Sequence, residues 1–101
     1  MTTNNELGTR MLVTAESGDA AAFLVALGDF KDALQTPGSG SEYVNWLSNP
    51  ANLTKLHLAI STNLNVPPRL LAIKRLSVSR GQKCMMMLRA MEISVRKIHN
   101  L

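Results

Sequence analysis

Three side chains of this 101-residue sequence are of types that often carry catalysis or hold a metal: Cys84, His57 and His99. Neither histidine lies three or four residues from another His, Cys, Asp or Glu, which is the spacing that ligands on one helix face need. A Cys84–His57 nucleophile pair would need a third group to orient the base, and no pattern marks one. We therefore predict a non-enzymatic protein without a metal or cofactor.

The second half of the chain has side chains suited to binding a polyanion. Residues 51–101 hold nine basic residues against Glu92 alone, whereas residues 1–50 hold two basic and six acidic ones. Surfaces that serve only solubility usually mix the two signs. The asymmetry indicates either a polyanionic partner or two copies whose acidic and basic halves meet. The residues predicted to contact nucleic acid are Arg69, Lys74, Arg75, Arg80, Lys83 and Arg89.

The composition favours helices over strands and leaves room for one domain. Hydrophobic residues make up 46% of the chain, with only four prolines and six glycines. All four aromatic residues lie in the first half, so the basic half has no platform for base stacking. We predict an all-α, small single-domain bundle of five to six short helices over residues 1–101, whose nucleic-acid contacts are mainly to phosphates.

Cysteine usage and hydropathy indicate the compartment. Cys84 is the only cysteine, so an intrachain disulfide is impossible and a reducing environment is the simpler interpretation. The longest apolar runs, Ala20–Leu27 and Cys84–Leu88, fall far short of the roughly 20 residues that a membrane span needs. We expect an intracellular, cytoplasmic, soluble protein with no membrane span.

Cap and breaker residues divide the chain into an acidic helical hairpin over residues 4–35 and a basic helical module over residues 41–101. In the hairpin, Asn4 or Asn5 is expected to cap the first helix and Asp19 the second. The second helix should bury one stripe of side chains: Phe23, Leu27, Phe30 and Leu34. The break between the two units is the stretch from Thr36 to Gly40.

In the basic module, Ser41 is expected to cap a short helix and Asn52 the next, which runs to about Leu64. Pro68 is expected to open a further helix that ends at about Ser79, because proline is favoured at a first helical position. Residues 82–99 form the last and longest predicted helix.

The turn between the two helices that flank Val66 has the spacing of a DNA-reading helix-turn-helix. The turn positions are matched by Ser61, Leu64, Asn65 and Val66, and Leu71 would be a core contact of the second helix. Two features depart from the motif: the consecutive prolines Pro67 and Pro68, and Lys74 at a position that is normally apolar. The alternative is an ordinary pair of core helices.

The last helix has an apolar seam at heptad spacing: Cys84, Leu88, Met91, Val95 and Ile98. This seam either docks on the chain's own helices or forms the interface of a homodimer, and we predict the homodimer. Met86 and Ile93 widen the apolar surface beyond the seam. The run Met85–Met87 with Met91 fills the core or forms an adaptable groove for a protein partner, because thioether side chains repack readily.

Two functions fit these patterns. The first hypothesis is a nucleic-acid-binding protein, either a small regulator or a packaging factor, that acts as a homodimer and contacts DNA or RNA through its basic half. The second is a protein–protein interaction module, such as an inhibitor, adaptor or structural subunit, with no nucleic-acid role. They differ in whether the basic residues are exposed or neutralised by carboxylates of the first half: Glu16, Asp19, Asp29 and Asp32.

Overall fold

A computed structural model describes residues 5–73 and 77–101 of the chain. In this described part, five α-helices and one short 3-10 turn follow each other without a strand. The elements are α1 (Glu6–Glu16), α2 (Ala20–Gln35), α3 (Gly40–Ser48), α4 (Pro50–Asn63), the 3-10 turn (Pro68–Leu70) and α5 (Arg80–His99). The predicted all-α fold is confirmed.

The first two helices form the predicted hairpin, and their caps explain where each begins. The Oδ1 atom of Asn5 accepts a hydrogen bond from the backbone N–H of Gly8 at 3.1 Å. Asp19 does the same for Ala22 at 3.0 Å. These bonds satisfy backbone donors that the first turn of a helix leaves unpaired. Gly18 joins the two helices at a φ of +74°, which glycine adopts without a steric penalty.

The starts of α3 and α4 differ slightly from the predicted ones. Helix α3 begins at Gly40 and its cap position is Ser39, so the prediction that Ser41 caps this helix is wrong. Helix α4 begins at Pro50, because Asn49 provides the cap by accepting the Ala51 N–H at 2.9 Å. The prediction that Asn52 caps this helix is wrong. Its amide instead donates to the backbone carbonyl of Trp46 at 3.0 Å and so ties α4 to α3.

The helix predicted from Pro68 to Ser79 does not form in the described residues. One 3-10 turn covers Pro68–Leu70, and residues 71–73 and 77–79 are not helical. The turn positions of the predicted helix-turn-helix do behave as expected: Asn65 has a φ of +59°, and Val66 and Leu71 are buried. A reading helix needs several turns to lie along the major groove. The described residues therefore do not confirm a DNA-reading helix in this segment.

One hydrophobic core joins the acidic and basic halves. Helix α1 packs on α2 and α4, α2 also packs on α3 and α5, and α3 packs on α4 and α5. The side chains of the predicted α2 stripe all lie in this core: Phe23, Leu27, Phe30 and Leu34. None of the described helices combines the length and apolar character that crossing a membrane requires.

Helix α1 packs tightly against α3 at Gly8. A Cβ atom added at Gly8 would lie 2.6 Å from Cε2 of Trp46, so α1 can lie against the indole only because residue 8 is glycine. The indole also packs against Phe30 with ring centroids 5.6 Å apart, and Tyr43 meets Phe30 edge-on at 5.4 Å. These aromatic contacts hold α3 to the hairpin.

Candidate nucleic-acid interface

The beginning of α5 brings two of the predicted phosphate-binding residues together. Ser79 caps this helix by accepting the Gln82 N–H at 3.2 Å. Arg80 and Lys83 follow within the first turn, and both are exposed. No acidic residue lies in that turn. The partial positive charge of the helix amino terminus therefore adds to the two cationic side chains and favours an anion there.

A neutral partner fixes the direction of Arg80. Its Nη2 atom donates a hydrogen bond to Oδ1 of Asn45 on α3 at 2.9 Å. The bond orients the guanidinium without cancelling its charge, and the guanidinium has further donors that can reach phosphate oxygens. The sequence did not single out Asn45, because no local pattern connects residues that lie 35 positions apart.

Arg69 lies on the 3-10 turn, which packs against α5. The arginine is exposed, whereas Val66 and Leu71 on either side of the turn are buried and anchor the segment. Lys74 and Arg75 lie outside the described residues, so their part in binding stays a prediction.

Arg89 does not join the pair at the start of α5. It follows Lys83 by six residues, which on an α-helix places it about 9 Å further along the axis and about 120° around it. It lies instead on the outward face of α5, in a row of exposed side chains with Ile93 and Lys97. The structure thus separates Arg89 from Arg80 and Lys83.

Within the described part of the chain, the acidic half does not neutralise Arg69, Arg80 or Lys83. In the described part of the chain, the ion pairs join Arg10 to Asp29 at 3.6 Å, Lys31 to Glu92 at 3.2 Å and Arg96 to Glu92 at 3.4 Å. Among the described residues, no carboxylate pairs with Arg69, Arg80 or Lys83. The observation favours an exposed basic surface over pairing within the chain.

Glu92 forms the central pair between α2 and α5. Partial burial acts to raise its pKa, but the hydrogen bond and charge of Lys31, followed by those of Arg96, outweigh that effect. The pKa of this carboxyl therefore lies below its ordinary value. The only acidic residue of the basic half is thus used to hold two helices together.

The predicted dimer seam lies largely inside the chain's own core. Four of its residues are almost completely buried: Cys84, Leu88, Met91 and Val95. Only Ile98 is exposed, with 37% of its surface accessible. The four buried side chains pack against the rest of the same chain and offer nothing to a second copy. Their assignment to a dimer interface is corrected, while the homodimer itself stays a prediction.

The methionine run serves the core more than a partner groove. Met87 and Met91 are buried, and Met85 packs against the core with its sulfur accepting a hydrogen bond from Gln35 at 3.5 Å. Met86 keeps part of its surface exposed on the outward side of α5. A groove built from all four methionines is absent from this face, because consecutive helical residues point in different directions.

The residues considered for catalysis lie apart. The sulfur of Cys84 is buried beside Ser48 Oγ at 3.6 Å and the Val44 carbonyl oxygen at 3.8 Å. His99 Nε2 lies 2.7 Å from the carbonyl oxygen of Leu64 and links the end of α5 to the end of α4. His57 Nε2 is buried without a hydrogen-bond partner in the described residues, and burial lowers the pKa of this imidazole.

The geometry thus offers a basic surface and no assembled catalytic group. Within residues 5–73 and 77–101, no three side chains of the metal-binding types come together. What the described side chains can do is attract an anion at the start of α5 and hold it through Arg80 and Lys83. Comparison of the chain with protein-family models, with curated proteins and with solved structures finds no match.

Proposed function

We propose that this chain is a non-enzymatic nucleic-acid-binding protein that acts as a homodimer and contacts phosphates through Arg69, Arg80 and Lys83. The observation that carries the proposal is the exposure of these three side chains with no carboxylate partner in the described residues. Lys74 and Arg75, predicted to act with them, add to the positive charge of the segment that joins the 3-10 turn to α5.

The expected binding is independent of nucleotide sequence. Reading bases requires a helix or strand that enters a groove, and the described residues of the predicted reading segment form only a 3-10 turn. Stacking on bases requires exposed aromatic rings, but Phe23 and Phe30 are buried and Tyr43 and Trp46 pack against the core. Phosphate contact remains, which favours a packaging role over a regulator of one operator site.

The test is fluorescence anisotropy with labelled mixed-sequence duplex DNA and with RNA across a salt titration. We expect binding that weakens steeply as salt rises, because each phosphate contact contributes a slope of about −0.9 in log K against log [salt]. Exchanging one sequence for another of equal length should leave the affinity unchanged. No binding at low salt would refute the proposal and favour a protein–protein interaction module.

A matched pair of charge reversals locates the surface. Lys83→Glu and Lys55→Glu change the net charge equally, and both lysines are exposed on helices. We expect Lys83→Glu to weaken binding by about tenfold and to reduce the salt slope by about one. Lys55→Glu should change binding much less, because Lys55 lies on α4 and not at the start of α5. Equal losses would show that binding follows net charge and not the start of α5.

A further inference from the structure

An apolar groove with charged rims lies on the outward side of α2 and α5. It has a volume of about 570 Å³ and is lined by Val25, Gly28, Asp32, Arg96 and Leu101, among others. Val25 is 66% exposed and Leu101 53%, so large apolar side chains form part of the accessible surface of the groove. One turn before Arg96, Ile93 is 56% exposed and extends the apolar surface along α5.

Packing within the described residues does not require the glycine that lines this groove, Gly28. A Cβ atom added at Gly28 would meet nothing within 4 Å, and the backbone φ there is not positive. Glycine inside a helix costs roughly 0.5–1 kcal/mol relative to alanine. The packing of α2 against its neighbours does not require that cost. A glycine on an outward face does allow a second helix to approach closely.

Charges of opposite sign form two parallel rows on this side of the molecule. Helices α2 and α5 run antiparallel, because Lys31 contacts Glu92 while Gln35 contacts Met85. Ile93 on α5 therefore lies at the same position along the helix axes as Phe30 on α2. The exposed carboxylates of α2 at this level are Asp32 and Asp29, the second of which also pairs with Arg10. Of the exposed cations of α5 at this level, Arg96 pairs with Glu92, whereas Arg89 and Lys97 have no carboxylate partner in the described residues. The acidic row of one copy is complementary to the basic row of another.

We propose that this outward face of α2 and α5 is the homodimer interface, with α5 of each copy lying in the α2 groove of the other. A two-fold axis parallel to the helices sets the basic row of each copy over the acidic row of its partner and closes the contact at two copies. Ile93 then enters the groove over Gly28 and is removed from water. The inference rests on the homodimer of the proposed function and not on nucleic-acid binding, because Arg80 and Lys83 stay outside the contact.

Sedimentation equilibrium of the full chain without nucleic acid tests the interface. We expect a dimer in low salt and a monomer for Ile93→Asp, because a buried unpaired carboxylate opposes association. Leu58→Asp is the matched control, since Leu58 is 64% exposed on α4, away from the groove. A monomeric wild-type chain at millimolar concentration would overturn the inference, as would a control that dissociates as fully as Ile93→Asp.

A charge exchange tests the pairing of the two rows. Asp32→Arg and Arg89→Glu should each weaken dimerisation by about tenfold, and the double variant should recover most of the loss. Gly28→Ala should also weaken the dimer although it adds only one methyl group. Circular dichroism establishes that each variant folds. A double variant weaker than either single variant would contradict the pairing.

Anisotropy of the Ile93→Asp monomer on labelled duplex DNA separates this inference from the proposed function. A monomer that still binds DNA, beside a wild type that dimerises, supports both. A wild-type dimer that does not bind DNA refutes only the nucleic-acid part, and a wild-type monomer that binds DNA refutes the interface and the homodimer but not the nucleic-acid part.

Discussion

Two glycines inside helices of this protein have opposite surroundings. Gly8 on α1 lies so close to the Trp46 indole that a methyl group would overlap the ring, whereas Gly28 on α2 faces open space. The first glycine is explained by packing within the chain. The second is not, and it lies in an apolar groove between rows of opposite charge. Packing within the described residues thus accounts for Gly8, whereas Gly28 leaves its side of α2 free for the proposed contact.

The largest change in stability is expected at Gly8, where α1 packs directly against the Trp46 indole. Gly8→Ala should lower the free energy of unfolding by about 2 kcal/mol, because the added methyl displaces the indole from its packing against Phe30. Urea denaturation measures the loss. In a Trp46→Leu background the same substitution should cost much less, since the smaller side chain leaves room. An equal cost in both backgrounds would show that the indole is not the obstacle.

The ion pair beside the open groove should have a smaller effect. Glu92→Gln should cost about 1 kcal/mol at neutral pH, because it removes the carboxylate that holds Lys31 and Arg96. The pKa of Glu92 is lowered in the folded state, so its stabilisation is present above the unfolded value of 4.5 and is lost as the pH falls below it. The gap between wild type and variant should therefore close in acid. Glu16→Gln, at an exposed position, should show no such gap.

Substitution of Gly28 should change the free energy of unfolding in the opposite direction to substitution of Gly8. Gly28→Ala should raise the free energy of unfolding by about 0.5–1 kcal/mol in dilute protein, because alanine favours the helix and meets no neighbour. Thermal denaturation at a concentration below that of dimerisation measures the gain. A loss of stability would show that residue 28 is constrained within the chain and would remove the distinction between the two glycines.

The smallest predicted effect concerns His57, a buried polar group that no described residue satisfies. Burial lowers the pKa of this imidazole in the folded state, so the unfolded chain binds its proton first as the pH falls below 6.5. The free energy of unfolding should therefore decrease as the pH is lowered through that range. His57→Gln should make this dependence on pH weaker. An unchanged slope in His57→Gln would place its origin elsewhere.

Local patterns predicted the hairpin well, because caps and apolar stripes are determined within a few residues. Asn5 and Asp19 cap α1 and α2 as expected. The error at α4 arose because Asn49 and Asn52 are both good caps, and the proline after Asn49 decides between them. The error after Pro68 has a different origin. The apolar residues of the segment from Pro68 to Ser79 do not follow a helical stripe. Leu71 is instead buried at the end of a short 3-10 turn.

The interface residues were harder to predict for a physical reason. A heptad seam predicts that one face of a helix is buried, but it does not indicate whether the helices that bury it belong to the same chain. Leu88 and Met91 are buried by other helices of their own chain. The bond between Arg80 and Asn45 and the overlap at Gly8 depend on contacts between distant segments, which spacing along the chain does not encode. Charge asymmetry predicted a basic surface but not which cations share a side of the molecule.

Trp46 has a spectroscopic consequence. It is the only tryptophan of the chain, and no aromatic residue lies beyond it. Its emission therefore reports the contact between α1 and α3, while α5 contributes to far-ultraviolet circular dichroism but not to fluorescence. If the two signals change together on heating, both halves unfold as one cooperative unit. If the dichroism falls first, helical structure is lost before the aromatic contacts open.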